Sequence, residues 1–242
     1  MDFIANIFKL VVENKRFPSY QAERRIDIFI NFFLDKILEA HYPGSKVTFI
    51  APEFPLKKPE NYQSTNVDYL CLRQEGSFRE LIFVELKTDP ESFSPKQYEI
   101  YKSFTSWDQC VEGLNQIIAK GKMGFNDRLK YFRLVQVLLN NELVQTKSGH
   151  SEIILTGQFG RRAEKSQFSR SFFGFMKDLE YPKLETRILY LAPGELIDNP
   201  KWNGSTDELL AFEEISKTNF KDYYSNDWDL IKSTLLTNTE ET

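Results

Sequence analysis

Glu80-Leu81-Ile82-Phe83-Val84-Glu85-Leu86-Lys87-Thr88 is apolar for most of its length and closes on two opposite charges. Its branched and aromatic residues suit a strand in the middle of a sheet. Side chains alternate along a strand, so Glu85 and Lys87 share one face with Phe83, while Val84 and Leu86 point to the other. Charges at the end of such a strand are costly to bury unless they are paired or used in chemistry.

Upstream, residues 66–73 carry a second strand pattern, and the intervening Gln74-Glu75-Gly76-Ser77 contains the glycine that a tight hairpin favours. A turn centred between Gly76 and Ser77 sets residues whose numbers sum to 153 opposite one another, so Asp68 faces Glu85. Cβ atoms in such a pair lie about 4.5–5.5 Å apart, and two like charges there destabilise a hairpin. A divalent cation between them reverses that penalty, because two carboxylates, a backbone carbonyl and water form the oxygen environment that Mg²⁺ accepts. The alternative is an ion pair of Glu85 with Lys87 along one face, with Asp68 merely starting an exposed edge. The tripeptide alone does not choose between them, since Glu13-Asn14-Lys15 repeats it where no strand pattern exists. The setting favours chemistry: an aspartate of the right parity on the preceding strand, and an apolar run leading directly into the glutamate.

Around this hairpin the order of elements predicts an α/β fold, a mixed sheet flanked by helices. Residues 20–39 read as a helix with Ile26, Ile30, Phe33 and Ile37 at helical spacing. Val47-Thr48-Phe49-Ile50 begins a strand over 46–57, and Pro52, Pro55 and Pro59 restrict the chain after its first half. Ser94-Pro95 opens a helix to about residue 105, and Trp107–Lys120 forms another, with Val111, Leu114 and Ile118 on one stripe. The stretch 129–145 suits either type. Further on, 153–155, 188–191 and 209–212 are strand candidates, and 166–180 and 220–236 look helical.

A chain of 242 residues, 41% hydrophobic, can bury one sizeable core, and one elaborated domain over 1–236 is expected, with a polar, disordered tail at 237–242. No stretch approaches the roughly 18 apolar residues of a membrane span. Met1-Asp2-Phe3 lacks the basic flank of a secretory signal, which predicts a cytoplasmic protein. Cys71 and Cys110 are isolated from each other and from both histidines, so any metal must be held by oxygen. The net charge of −4 argues against nonspecific coating of nucleic acid. Two basic stretches, Lys120 to Arg133 and Arg161 to Arg170, read as solvated helix faces or as grips for a phosphate backbone.

Asn66-Val67-Asp68, followed across a short hairpin by Phe83-Val84-Glu85-Leu86-Lys87, resembles the PD-(D/E)XK nuclease superfamily, which has the restriction-endonuclease-like fold. The resemblance covers about residues 20–101, with a recognisable core of about 20–120. It implies a nuclease that hydrolyses phosphodiester bonds, in DNA first, with Mg²⁺ or Mn²⁺ as cofactor, nucleic acid as partner and no membrane. Asp68 and Glu85 would hold the metal with the Leu86 carbonyl, and Lys87 would orient or deprotonate the attacking water. A helix before the sheet often adds an acid in that family, and Glu23 matches it, with Asp27 its nearest competitor. Gln97-Tyr98-Glu99-Ile100-Tyr101 resembles the Q-x-x-x-Y motif of recombination exonucleases, making Gln97 and Tyr101 substrate-binding candidates. Gln97 has a competing role: behind Ser94 as N-cap and Pro95 it would close a capping box. Val67 stands where the family has proline. The alternative function is a catalytically inactive relative that binds nucleic acid or a protein partner.

Overall fold

A computed structural model of the chain describes residues 23–120, 124–147, 162–217 and 229. The expected strand at 153–155, most of the expected helix at 220–236 and the tail at 237–242 lie outside them. The chain enters through helix α1 (Glu23–His41), whose Ile30, Phe33, Leu34, Ile37 and Leu38 form one buried stripe. Strands β1 (Lys46–Lys57), β2 (Ser64–Glu75) and β3 (Phe78–Leu86) follow as an antiparallel meander.

Strand β1 runs through Pro52 and Pro55 rather than stopping at its midpoint. The sheet order is β1-β2-β3-β6-β7, so β1 is an edge strand, where a missing N–H breaks no ladder. The register with β2 shifts between Phe49 and Ala51, and Glu53 takes a positive φ of 50°. At the other end of β2, Gly76 adopts φ 59° in a two-residue turn, a conformation that costs glycine nothing.

Among the described residues four α-helices then come before the next strand of this sheet: α2 (Pro95–Lys102), α3 (Trp107–Lys120), α4 (Phe125–Asn140) and α5 (Arg162–Lys177). The ambiguous stretch 129–145 is helical to Asn140, its Phe132, Val135 and Leu138 buried at helical spacing. A short ladder of β4 (Gln145–Thr146) and β5 (Leu179–Glu180) sits apart from the main sheet. Strands β6 (Glu185–Ala192) and β7 (Leu209–Ala211) add in parallel beside β3, giving a mixed α/β sheet. The final apolar segment changes type at Phe212, where α6 (Phe212–Lys217) begins.

Hydrophobic clusters cover both faces of the sheet. One joins α1 and α6 residues to Tyr69, Cys71, Ile82, Val84, Leu86 and Leu189. The larger one packs α2 to α5 against Phe54, Leu70, Leu72, Leu81, Phe83 and Tyr190. Near its centre Trp107 is fully buried, 5.6 Å from the Phe54 ring, and donates its indole N–H to the Leu143 carbonyl at 2.7 Å. The first basic stretch is partly structural, since Arg128 donates to Ser169 Oγ at 3.1 Å and lies 5.4 Å from the Phe173 ring, tying α4 to α5.

Trp107→Ala removes a large core ring and strands the Leu143 carbonyl, and should cost about 3–5 kcal/mol of unfolding free energy in a urea titration. A loss under about 1 kcal/mol would show that this contact does not hold the helical layer to the sheet.

Candidate active site

The β2–β3 ladder pairs residues from Glu75 with Phe78 to Tyr69 with Val84, every pair summing to 153, and the paired register ends there. Strand β2 continues to Ser64 paired only with β1. The next backbone donor of β3 that faces β2, Leu86 N–H, is taken by the Asp68 side chain, with Oδ2 accepting at 2.7 Å. Lys87 N–H, one residue on, turns to β6 and donates to the Leu191 carbonyl at 2.9 Å. Backbone groups of neighbouring strand residues face opposite sides, so the Leu86 carbonyl also faces β2 and Asp68.

Glu85 and Lys87 extend the face of Phe83, the side covered by α2 to α5. Glu85 is 2% exposed and Lys87 9% exposed, and Lys87 Nζ donates to Glu85 Oε1 at 2.8 Å. The other oxygen, Oε2, lies 3.1 Å from the Tyr101 hydroxyl. That hydroxyl is also 2.5 Å from the Asn66 carbonyl, so one side chain of α2 spans from β3 to the free end of β2.

The two roles expected for Gln97 are divided between its backbone and its side chain. Its N–H donates to the Ser94 cap at 3.4 Å behind Pro95, while its side-chain amide donates to the Tyr101 hydroxyl one turn on. The capping box is therefore half made, and the amide serves the site. Tyr101 is 1% exposed, so its place is behind Glu85 rather than on an open surface.

Electrostatics follow from this burial. Asp68 is pushed up to about 8, first by loss of water and then by the Glu85 charge beside it. Burial also raises Glu85, but the Lys87 ammonium, the Tyr101 hydroxyl and the Asp68 backbone amide oppose that rise. Burial thus raises both carboxyls of the adjacent pair, Asp68 with the Glu85 charge beside it, and the two share the cost of ionising side by side. The Tyr101 phenol is raised far above its ordinary value by burial and by Glu85, so it stays a hydroxyl.

Three contributors were missed in the sequence. Tyr190 of β6 is paired with Glu85 in the sheet and packs with Phe93, Tyr98 and Trp202, an aromatic wall that keeps the local dielectric low. Asn66 supplies the carbonyl for Tyr101 and donates its amide to Glu53 Oε2 at 3.2 Å. Glu53 lies between the pairs Pro52–Tyr69 and Phe54–Val67, hence beside Asp68, and its charge adds to the rise of Asp68. The available signal was Pro52-Glu53-Phe54-Pro55, an acid in a strand pattern broken by prolines.

The first helix carries the acid expected at Glu23 or Asp27 on the other side of the sheet. Its buried stripe packs on the face of Tyr69 and Val84, opposite Glu85, and Tyr69 donates its hydroxyl to the Asp27 carboxylate. Glu23 opens α1, and its side chain lies outside the described residues. Among the described residues no group of three or more histidines, cysteines or acids is arranged to hold a metal ion. Both cysteines are buried with their thiols raised by burial, which leaves oxygen as the donor type. No described helix is long and apolar enough to cross a membrane. Scans against protein-family models, curated proteins and solved structures return no match, so the site is read from its own geometry.

The raised Asp68 makes a signed prediction. Its folded state binds a proton more tightly than the unfolded chain, so that stability is complete below about pH 4 and is lost as pH rises toward 8. Asp68→Asn keeps the acceptor for Leu86 N–H and removes the penalty. In divalent-free buffer at pH 8 it should melt higher than the parent, by about 2–4 °C for each 1 kcal/mol recovered, with the gap closing toward pH 4. Equal melting at pH 8 would show that the carboxyl is not penalised.

Proposed function

We propose that this chain is a metal-dependent nuclease of the PD-(D/E)XK kind, hydrolysing phosphodiester bonds in DNA with Mg²⁺ or Mn²⁺. One observation carries the reading: Asp68, Glu85 and Lys87 meet where β2 and β3 cease to pair, held there by contacts that a merely structural ion pair does not need. The helix-flanked mixed sheet supports it as well.

The donor set suits a hard dication. Two adjacent carboxylates, one of them raised to about 8 by burial and by its neighbour, favour a cation, and among the described residues Lys87 supplies an ammonium beside them. Asp68, Glu85 and the Leu86 carbonyl would hold the ion, and Mg²⁺ readily keeps water at its remaining positions. When bound, it supplies Lewis-acid polarisation of the phosphate and a water of lowered pKa.

The chain's own residues do the rest. Lys87, fixed by Glu85 Oε1, places an ammonium where charge develops on the phosphate and where an attacking water can be oriented. Tyr101 and the Asp68 amide hold the Glu85 carboxylate in one orientation, and Gln97 in turn holds Tyr101. Leu86 N–H anchors Asp68 through Oδ2. The Asp68 carboxyl would have to give up its proton to act as a ligand, so affinity for the ion should rise with pH up to about 8.

A second reading, a catalytically inactive relative that binds nucleic acid or a protein partner, is favoured by the engagement of both Glu85 oxygens within the protein. Metal separates the two. Titration calorimetry with Mn²⁺ should show binding that Asp68→Ala abolishes, whereas no heat from the parent chain supports the inactive module. In a plasmid and oligonucleotide cleavage assay with Mg²⁺ or Mn²⁺, Asp68→Ala, Glu85→Ala and Lys87→Ala should each lower the rate by at least about 10²-fold. Full activity in any of the three refutes the assignment.

A further inference from the structure

The tip of the β1–β2 hairpin presents an aromatic ring among ammonium groups. Tyr62 is 42% exposed; Lys57 Nζ and Lys120 Nζ lie 5.6 and 5.1 Å from its ring centroid. Lys120 Nζ also reaches the Tyr62 hydroxyl at 3.4 Å, from the last turn of α3. Lys57 is anchored by donating to the Lys58 carbonyl at 3.0 Å, and Lys58 is half-buried beside it. Glu60 is the one acid in the 58–63 loop, so three lysines leave the tip positive on a chain whose net charge is −4.

The tip is continuous with the candidate active site. Lys58 N–H donates to the Gln63 carbonyl at 2.9 Å, which closes the loop and aims residues 59–63 outward. Residues 59–63 are all exposed, as is Asn66, and Asp68 lies four residues along β2 from its first residue, Ser64. At about 3.4 Å per residue that is about 14 Å, and Tyr62 lies two residues further, about 20 Å from Asp68 along the chain, a span a short stretch of polynucleotide covers.

We propose that the Tyr62 tip, with Lys57, Lys58 and Lys120, is a stacking and phosphate-binding platform for single-stranded nucleic acid. The proposal rests on the nuclease reading of Asp68, Glu85 and Lys87 and assigns that site its substrate class. An exposed phenol stacks on a base only when the face of the base is free, which duplex stacking denies it, and lysines around the ring neutralise the phosphates on either side. Charge complementarity therefore selects a polyanion, and the ring selects an unpaired one. A chain that binds no oligothymidylate points instead to an acidic protein partner for the lysines.

The experiment uses the full chain in EDTA, so that nothing is cleaved, and reads fluorescence anisotropy of a fluorescein-labelled oligothymidylate against a blunt duplex of equal length. The single strand should bind more tightly than the duplex. Tyr62→Ala should weaken its binding roughly ten-fold while Tyr62→Phe, which keeps the ring, binds like the parent. Lys120→Glu should weaken binding and make the log–log salt slope shallower by about 0.7 for each phosphate that is no longer neutralised. Both positions are exposed, and unchanged melting temperatures of the variants confirm an intact fold. The proposal is overturned if the chain binds no oligothymidylate, if Tyr62→Ala binds it like the parent, or if the duplex binds equally well.

The two readings fail separately. A chain whose cleavage requires Asp68 and Glu85 but whose oligothymidylate affinity ignores Tyr62 keeps the nuclease and loses the platform. A chain that cleaves nothing yet loses affinity on Tyr62→Ala keeps the platform and loses the nuclease.

Discussion

Glu85 and Lys87 sit almost out of water at the end of a central strand, and the contact between them at 2.8 Å constrains everything built around it. A buried pair of this kind is tolerated only when further hydrogen bonds satisfy what the pair leaves over. Here Tyr101 and the Asp68 amide do so, one from a helix and one from the neighbouring strand. The position of α2 follows from that need. Its Ser94 cap and Pro95 start set the helix so that Gln97 and Tyr101, one turn apart, both point at the sheet.

Asp68 joins the pair from the neighbouring strand. Its carboxylate replaces a backbone carbonyl in the pattern of β3 by accepting from Leu86 N–H, which lets β2 leave the ladder without stranding a donor. The same placement buries it beside Glu85 and Glu53, and loss of water and then those charges raise its proton affinity against the opposing Leu86 N–H and Lys87 charge. Strain and charge concentrate together at this point, for Glu53 holds a left-handed backbone beside it. Such local departures from good folding practice are what a cation site or a proton-transfer site requires.

Much of this was legible along the chain. The hairpin register followed from Gly76 and the two-residue period, because a one-residue slip would have turned Asp68 to the other face. The Trp107–Lys120 helix was readable from its stripe, which buries Cys110, Val111, Leu114 and Ile118. What escaped depended on partners distant in sequence. Strand β1 survives Pro52 and Pro55 because it lies at an edge, a fact set by sheet order, and the 129–145 stretch became helical because Phe132 and Leu138 meet the α5 side of the core. Asn66 only precedes the motif residue Asp68 and Tyr190 carries none; they belong to the site through a hydroxyl 35 residues away in one case and a parallel strand pairing in the other.

The sequence by itself determined the α/β character, the hairpin and the shared face of Asp68, Glu85 and Lys87, since alternation and turn chemistry are local properties of the backbone. Only the tertiary structure decided that Gln97 divides its backbone and side chain between cap and site, and that α1 covers the opposite face of the sheet. It alone decided that burial raises both Asp68 and Glu85 while Lys87, Tyr101 and the Asp68 amide oppose the rise of Glu85, because proton affinity depends on burial and on which partners lie within reach, and neither exists until the layers have packed.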